Sequence, residues 1–111
     1  MTRTRLPNRR PNETAELMFN ATPYAVTIGY HPTTGRIGEV FTHGAKVGSN
    51  MDAILDDACV ALSMLIQYGA EPGDLASSMG RQGTGQAPAS IIGALADLLT
   101  DMDALSGKVA S

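Results

Sequence analysis

A chain of 111 residues, 43% of them apolar and one of them cysteine, can bury one core but can form no intramolecular disulfide and no CxxC metal or redox pair. No apolar run reaches the roughly 18 to 20 residues that cross a bilayer, and the N-terminal arginines are not followed by the apolar stretch of a secretory signal, so a cytoplasmic location without membrane attachment is expected. The net charge of −3 hides an asymmetry: four of the eight basic residues are Arg3, Arg5, Arg9 and Arg10, which leaves a body with four basic and eleven acidic residues.

The first twelve residues, MTRTRLPNRRPN, read as a basic arm. Pro7 and Pro11 favour extended backbone and oppose regular pairing. A single domain is expected over residues 13–106. Its first part has strand periodicity. Leu17 and Phe19 alternate with polar neighbours, Asn20 to Pro23 can turn the chain, and Tyr24, Val26, Ile28 and Tyr30 fall on one face with Ala25, Thr27 and Gly29 on the other. His31 to Arg36 is a hairpin connection in which Gly35 can take positive φ, and Ile37 to Thr42 is a third strand. Such a three-stranded meander needs a covering layer. Ser49 is a good helix N-cap, with Asp52 in the first turn and Gly69 as C-cap. The apolar stripe of that helix is Met51, Leu55, Ala58, Leu62, Leu65 and Ile66. A short helix is expected from Pro72 to Met79, then a flexible Gly80–Gln86 connection. The last helix starts at Pro88, carries Ile91, Leu95, Leu98, Met102 and Leu105 on one stripe, and gives way to a frayed tail over residues 107–111. The fold class is α+β: a three-stranded antiparallel meander followed by about three helices on one face.

Arg3, Arg5, Arg9 and Arg10 are the leading candidates for binding a partner or an anion, because guanidinium groups pair bidentately with carboxylate or phosphate. The arm either reaches such a ligand or folds back on the acidic body, with Glu39 as a pairing partner. Lys46, Gly48 and Ser49 precede a helix N-terminus, where free N–H groups attract anions, although a simple capped turn accounts for the same residues. Gly80, Gly83 and Gly85 lack the preceding strand that a phosphate loop requires. Cys59 lies between Ala58 and Val60, where a buried inert thiol is expected. His31 and His43 with one cysteine cannot complete a four-ligand zinc site.

Arg36 to Gly69 resembles the TSCPD-domain region near the C-terminus of adenosylcobalamin-dependent (class II) ribonucleotide reductases. Gly38-Glu39-Val40-Phe41 is similar to their GEIF strand, Ala45-Lys46-Val47-Gly48-Ser49 to their AK-x-GS turn, and Ser63 with Gln67-Tyr68-Gly69 to their S-x-x-x-QYG helix end. Arg5-Leu6-Pro7, Arg10 and Thr14 resemble an RLP-x-x-R-x-x-x-T lead-in, and Tyr24, Thr27, Gly29 and Tyr30 the strand that follows it. Gly69-Ala70-Glu71-Pro72 and Ala89-Ser90-Ile91-Ile92 extend the likeness, which covers about residues 3–99. Gln86-Ala87-Pro88-Ala89 stands where relatives carry Ser-Cys-Pro-Asp, with alanine in place of cysteine.

The resemblance implies an α+β domain outside the catalytic barrel. The reductase chemistry needs a thiyl radical, a reducing cysteine pair, a carboxylate and a cobalamin, and no residues matching those of the barrel occur here. The expectation is therefore a non-catalytic accessory or regulatory module tied to deoxyribonucleotide supply for DNA synthesis. It would bind no cofactor itself, since adenosylcobalamin would belong to a partner reductase. The expected partner is the large subunit of that enzyme, and an exposed sheet face leaves room for a homo-oligomer. The alternative is a small nucleotide- or nucleic-acid-binding protein that contacts phosphate through the arginine arm. Ribonucleoside-diphosphate reductase activity by this chain alone is not expected.

Overall fold

A computed structural model of the chain describes residues 2–43, 50–83 and 85–110, without the side chains of Asn50 and of residues 105–110. Three strands, β1 (Asn12–Phe19), β2 (Thr22–Tyr30) and β3 (Ile37–His43), form an antiparallel sheet in the order β1-β2-β3. Three helices follow: α1 (Asn50–Gln67), α2 (Pro72–Ser78) and α3 (Ile91–Ala110). This is the α+β arrangement that the strand and helix periodicities require.

The β1–β2 connection is tighter than the expected Asn20–Pro23 turn. It consists of Asn20 and Ala21 alone, at φ 51° and 62°, and Thr22 pairs directly with Phe19. Two successive positive φ values match the twist of the flanking strands. Pro23 is inside β2, opposite Met18. That position alternates with the bonded ones, so the missing N–H faces away from β1, outside the Ala25–Tyr30 stretch that pairs with β3. Gly35 takes φ 73°, as its hairpin position requires.

Val26, Ile28, Tyr30 and Val40 project from one sheet face into a core completed by Leu55, Cys59 and Leu62 of α1 and by Ile91, Ala94, Leu95 and Leu99 of α3. Ile28, Leu95, Leu99, Val26 and Val40 are fully buried, each stabilising the fold by about 1.5–3 kcal/mol. The other face carries polar pairs, among them Thr14 and Thr27, whose hydroxyls lie 2.9 Å apart.

The buried face of α1 is rotated from the expected stripe. Met51 and Leu65 are exposed, whereas Cys59, Ser63 and Gln67 are buried. The reason lies in β3, an edge strand whose outward backbone groups need partners. Ser63 Oγ accepts from Val40 N–H at 3.0 Å and donates to Val40 O at 3.3 Å. One turn later, Gln67 Nε2 donates to Gly38 O at 2.8 Å. Two polar side chains displaced apolar ones because they satisfy the sheet edge. Gly69, at φ 109°, then closes α1: its N–H donates to Ile66 O and that of Ala70 to Leu65 O, both at 2.9 Å.

Residues 80–83 and 85–86 are organised where a flexible Gly80–Gln86 connection is expected. Arg81 and Pro88 form a β-bridge, and Gln82 N–H donates to Ala87 O at 2.9 Å. Arg81 clamps the loop onto α3 with bonds of 2.7 and 2.8 Å to the two Asp97 oxygens. Because Pro88 belongs to this bridge, α3 begins at Ile91, and it continues through Ala110 across the segment read as a tail. A Cβ at Gly93 would come within 3.3 Å of Pro88 Cβ, so the glycine lets the loop lie close against α3.

Candidate functional site

The N-terminal arm is docked along the β3 side of the domain, and its arginines divide into two kinds. Arg3 Nε donates to Gln67 Oε1 at 2.6 Å, and Thr4 N–H donates to the Gln67 carbonyl at 2.7 Å. Leu6 lies over Gly38, where a Cβ would fall 2.8 Å from Leu6 Cγ. Gly38 is also the residue at which the β2–β3 register slips, Gly29 pairing with Glu39 but Tyr30 with Ile37. The extra residue and the absent side chain together make the seat for the leucine.

Arg10 forms a bidentate pair with Glu39, through Nε to Oε2 and through Nη2 to Oε1 at 3.1 Å. Its Nη1 also donates to the Pro7 carbonyl at 2.9 Å, which folds the arm around the guanidinium. The Glu39 bond holds the Arg10 guanidinium above its ordinary pKa. Room for the Glu39 carboxylate comes from Gly29 on the neighbouring strand, since a Cβ there would lie 2.6 Å from Glu39 Cγ. The arm thus folds back onto the acidic body through Arg3 and Arg10, with Glu39 as the pairing partner.

Arg5 and Arg9 are exposed, and neither has a bonded partner among the described residues. Lys46, Gly48 and Ser49, the other residues proposed for anion binding, lie outside the described residues.

Between the arm, the α1–α2 connection and the β2–β3 loop is a cavity of about 280 Å³, lined by Thr4, Leu6, His31, Arg36, Gln67 and Tyr68 among others. Arg36 closes it from the far side. Its Nε and Nη2 bond the Asp103 carboxylate at 2.9 and 2.8 Å, and Nη2 also bonds Glu71 at 2.6 Å. Those hydrogen bonds, to Asp103 first and Glu71 second, raise the Arg36 pKa, so the cation is permanent and committed to structure. Sequence reasoning missed this clamp and the Ser63–Gln67 edge cap. The cap had a visible signal, two polar residues four apart within an apolar helix. The Arg36–Asp103 pair had none, because its members are 67 residues apart.

Cys59 is 3% exposed, with Sγ 3.9 Å from Thr42 Oγ1. Burial pushes its thiol pKa up, which disfavours the thiolate. Among the described residues, no three His, Cys, Asp or Glu side chains gather closely enough to hold a metal, and no helix is long and apolar enough to cross a membrane.

The TSCPD domain model matches residues 2–103, from the start of the arm to the Asp103 clamp. The chain belongs to the TSCPD domain family. The match takes in arm and body together, as the docking contacts do. This TSCPD chain is 37% identical over 67 residues to the vitamin B12-dependent ribonucleotide reductase of Rhodopirellula baltica; the match covers 60% of the chain and only 6% of that reductase. No solved structure matches it.

Proposed function

We propose that this TSCPD chain is a non-catalytic accessory module of ribonucleotide reduction, one that docks on a cobalamin-dependent reductase and serves deoxyribonucleotide supply. The observation that carries the reading is the pairing of a family match spanning residues 2–103 with a lone, buried cysteine. Ribose deoxygenation by a thiyl radical needs an accessible thiol and a dithiol reductant, and Cys59 offers neither. In this reading adenosylcobalamin belongs to the partner reductase. Docking would fall to the outward cations Arg5 and Arg9, while Arg3 and Arg10 hold the arm in place.

The test is turnover of a purified cobalamin-dependent reductase with and without the full chain, alongside co-purification of the two. The expected result is a stable complex and altered turnover, both lost in an Arg5→Ala/Arg9→Ala variant that unfolds at the wild-type temperature. Absence of a complex and unchanged turnover would defeat the reading. The same variant addresses phosphate binding. Two arginines neutralising two phosphates give a slope of only about −1.8 in log affinity against log salt on duplex DNA. A much steeper slope in a filter-binding titration would favour the nucleic-acid reading instead.

A further inference from the structure

The two edges of the sheet are finished differently. On β3 the outward groups of Gly38 and Val40 are bonded by Gln67 and Ser63. On β1 they are not. Phe19 pairs with Thr22 across the two-residue turn, and Tyr30 N–H donates to Pro11 O at 2.9 Å. The odd-numbered residues of β1 therefore bond β2, and Thr14, Glu16 and Met18 point their N–H and C=O groups away from the sheet. Among the described residues nothing bonds those groups. No proline, bulge or inward lysine blunts β1, whose charges are Glu13 and Glu16.

Beside this edge runs a groove of about 420 Å³ between β1 and α3, floored by Leu17, Phe19, Ala94 and Leu98. Asp101 is exposed at its rim, while Asp97 is already matched by Arg81 and Glu13 accepts from the Tyr30 hydroxyl. Glu16 is exposed on the opposite face of β1, the face of Thr14. We infer that β1 is a docking edge for an extended segment of a partner protein, which adds as a fourth strand and alternates apolar residues with lysine or arginine. Backbone pairing at Thr14, Glu16 and Met18 would supply affinity, the groove would take the apolar side chains, and Glu16 on the opposite face would select the basic ones that alternate with them. A second copy of this chain fits poorly. In the registers that pair most of β1 with itself, Glu16 meets its own copy directly or on the diagonal, and like charges so placed are destabilising. The inference is independent of the arm and of any reductase.

The experiment is selection of random decapeptides displayed on phage against the full chain, followed by amide exchange with the synthesised winners. The expected outcome is an alternating apolar and basic pattern, with exchange slowed at Thr14, Glu16 and Met18. Glu16→Pro removes an outward N–H together with the selecting carboxylate but no bond to β2, so the sheet keeps its ladder; it should weaken binding at least about tenfold. Glu16→Lys should abolish enrichment of basic residues. The inference is overturned if no sequence is enriched, or if bound peptides leave those three amides unprotected. It is equally overturned if the amides become protected in the free protein as its concentration rises, because a second copy would then occupy the edge.

Discussion

Removing the Gln67 side chain tests the reasoning about the β3 edge and the arm together. Its amide has a single orientation that satisfies both neighbours: Nε2 donates to Gly38 O at 2.8 Å, and Oε1 accepts from Arg3 Nε at 2.6 Å. Gln67 is 9% exposed, so truncation to alanine leaves the Gly38 carbonyl poorly placed to find water. An unsatisfied buried acceptor costs about 1–3 kcal/mol. The Arg3 bond, closer to solvent, adds at most about 1 kcal/mol. Gln67→Ala should therefore destabilise by about 2–3 kcal/mol, a fall in Tm on the order of 10 °C for a domain of this size. Urea denaturation measures the loss. Amide exchange at Thr4, whose N–H donates to the Gln67 carbonyl, reports the arm. Gln67→Glu separates the contributions, since it keeps an acceptor for Arg3 but sets an oxygen against the Gly38 carbonyl. It should be as unstable as the alanine variant while protecting Thr4 better. A loss below about 0.5 kcal/mol in Gln67→Ala, within the range of ordinary surface changes, would refute the capping argument.

Three further outcomes follow from particular contacts. Ala21→Gly should stabilise the chain by up to about 1 kcal/mol in equilibrium unfolding, because Ala21 stands at φ 62° where a Cβ is strained. Gly29→Ala should cost about 1–3 kcal/mol by pushing Glu39 away from Arg10, and most of that cost should vanish in a Glu39→Ala background, as a double-mutant cycle would reveal. Asp97, hydrogen-bonded by Arg81, has a pKa below its ordinary 3.8, so the unfolded chain binds its proton first. Its stabilising contribution is present above about pH 3.8 and disappears as pH falls through the lower folded value. Asp97→Asn should lack that part of the acid limb in a pH series of denaturant midpoints.

The strands, the Gly35 turn and the Gly69 cap were legible because each depends on local chemistry: alternation, or a backbone angle that glycine takes without strain. Residues whose role depends on distant partners were not. Ser63 and Gln67 break an apolar helix stripe, and only the proximity of an uncapped strand explains them. Likewise the arm's arginines look equivalent in sequence. They separate into anchors and free cations once Glu39 and Gln67 are seen opposite Arg10 and Arg3. Lys46, Gly48 and Ser49 lie outside the described residues, and no structural role is assigned to them.

The residues that carried the family likeness are largely those that join arm, edge and helix. Leu6 fills the space over Gly38, Arg10 holds Glu39, and Ser63 and Gln67 cap β3. The spacing of that cap has a geometric origin. Four helical residues rise about 6.0 Å, and two strand residues advance about 6.6–6.8 Å. Polar side chains at i and i+4 on a helix laid along a strand can therefore each reach one of two alternate outward groups, here those of Val40 and Gly38. The polarity of the match also sets direction, because α1 advances from Ser63 to Gln67 while β3 recedes from Val40 to Gly38. The helix must lie antiparallel to the strand, and its C-terminus must arrive where the arm crosses the edge. Gln67 is then placed to serve both, which makes arm docking a consequence of how the edge is capped. Arg5, five residues before Arg10, and Arg9, one residue before it, have no such structural part, which separates them from the anchoring arginines.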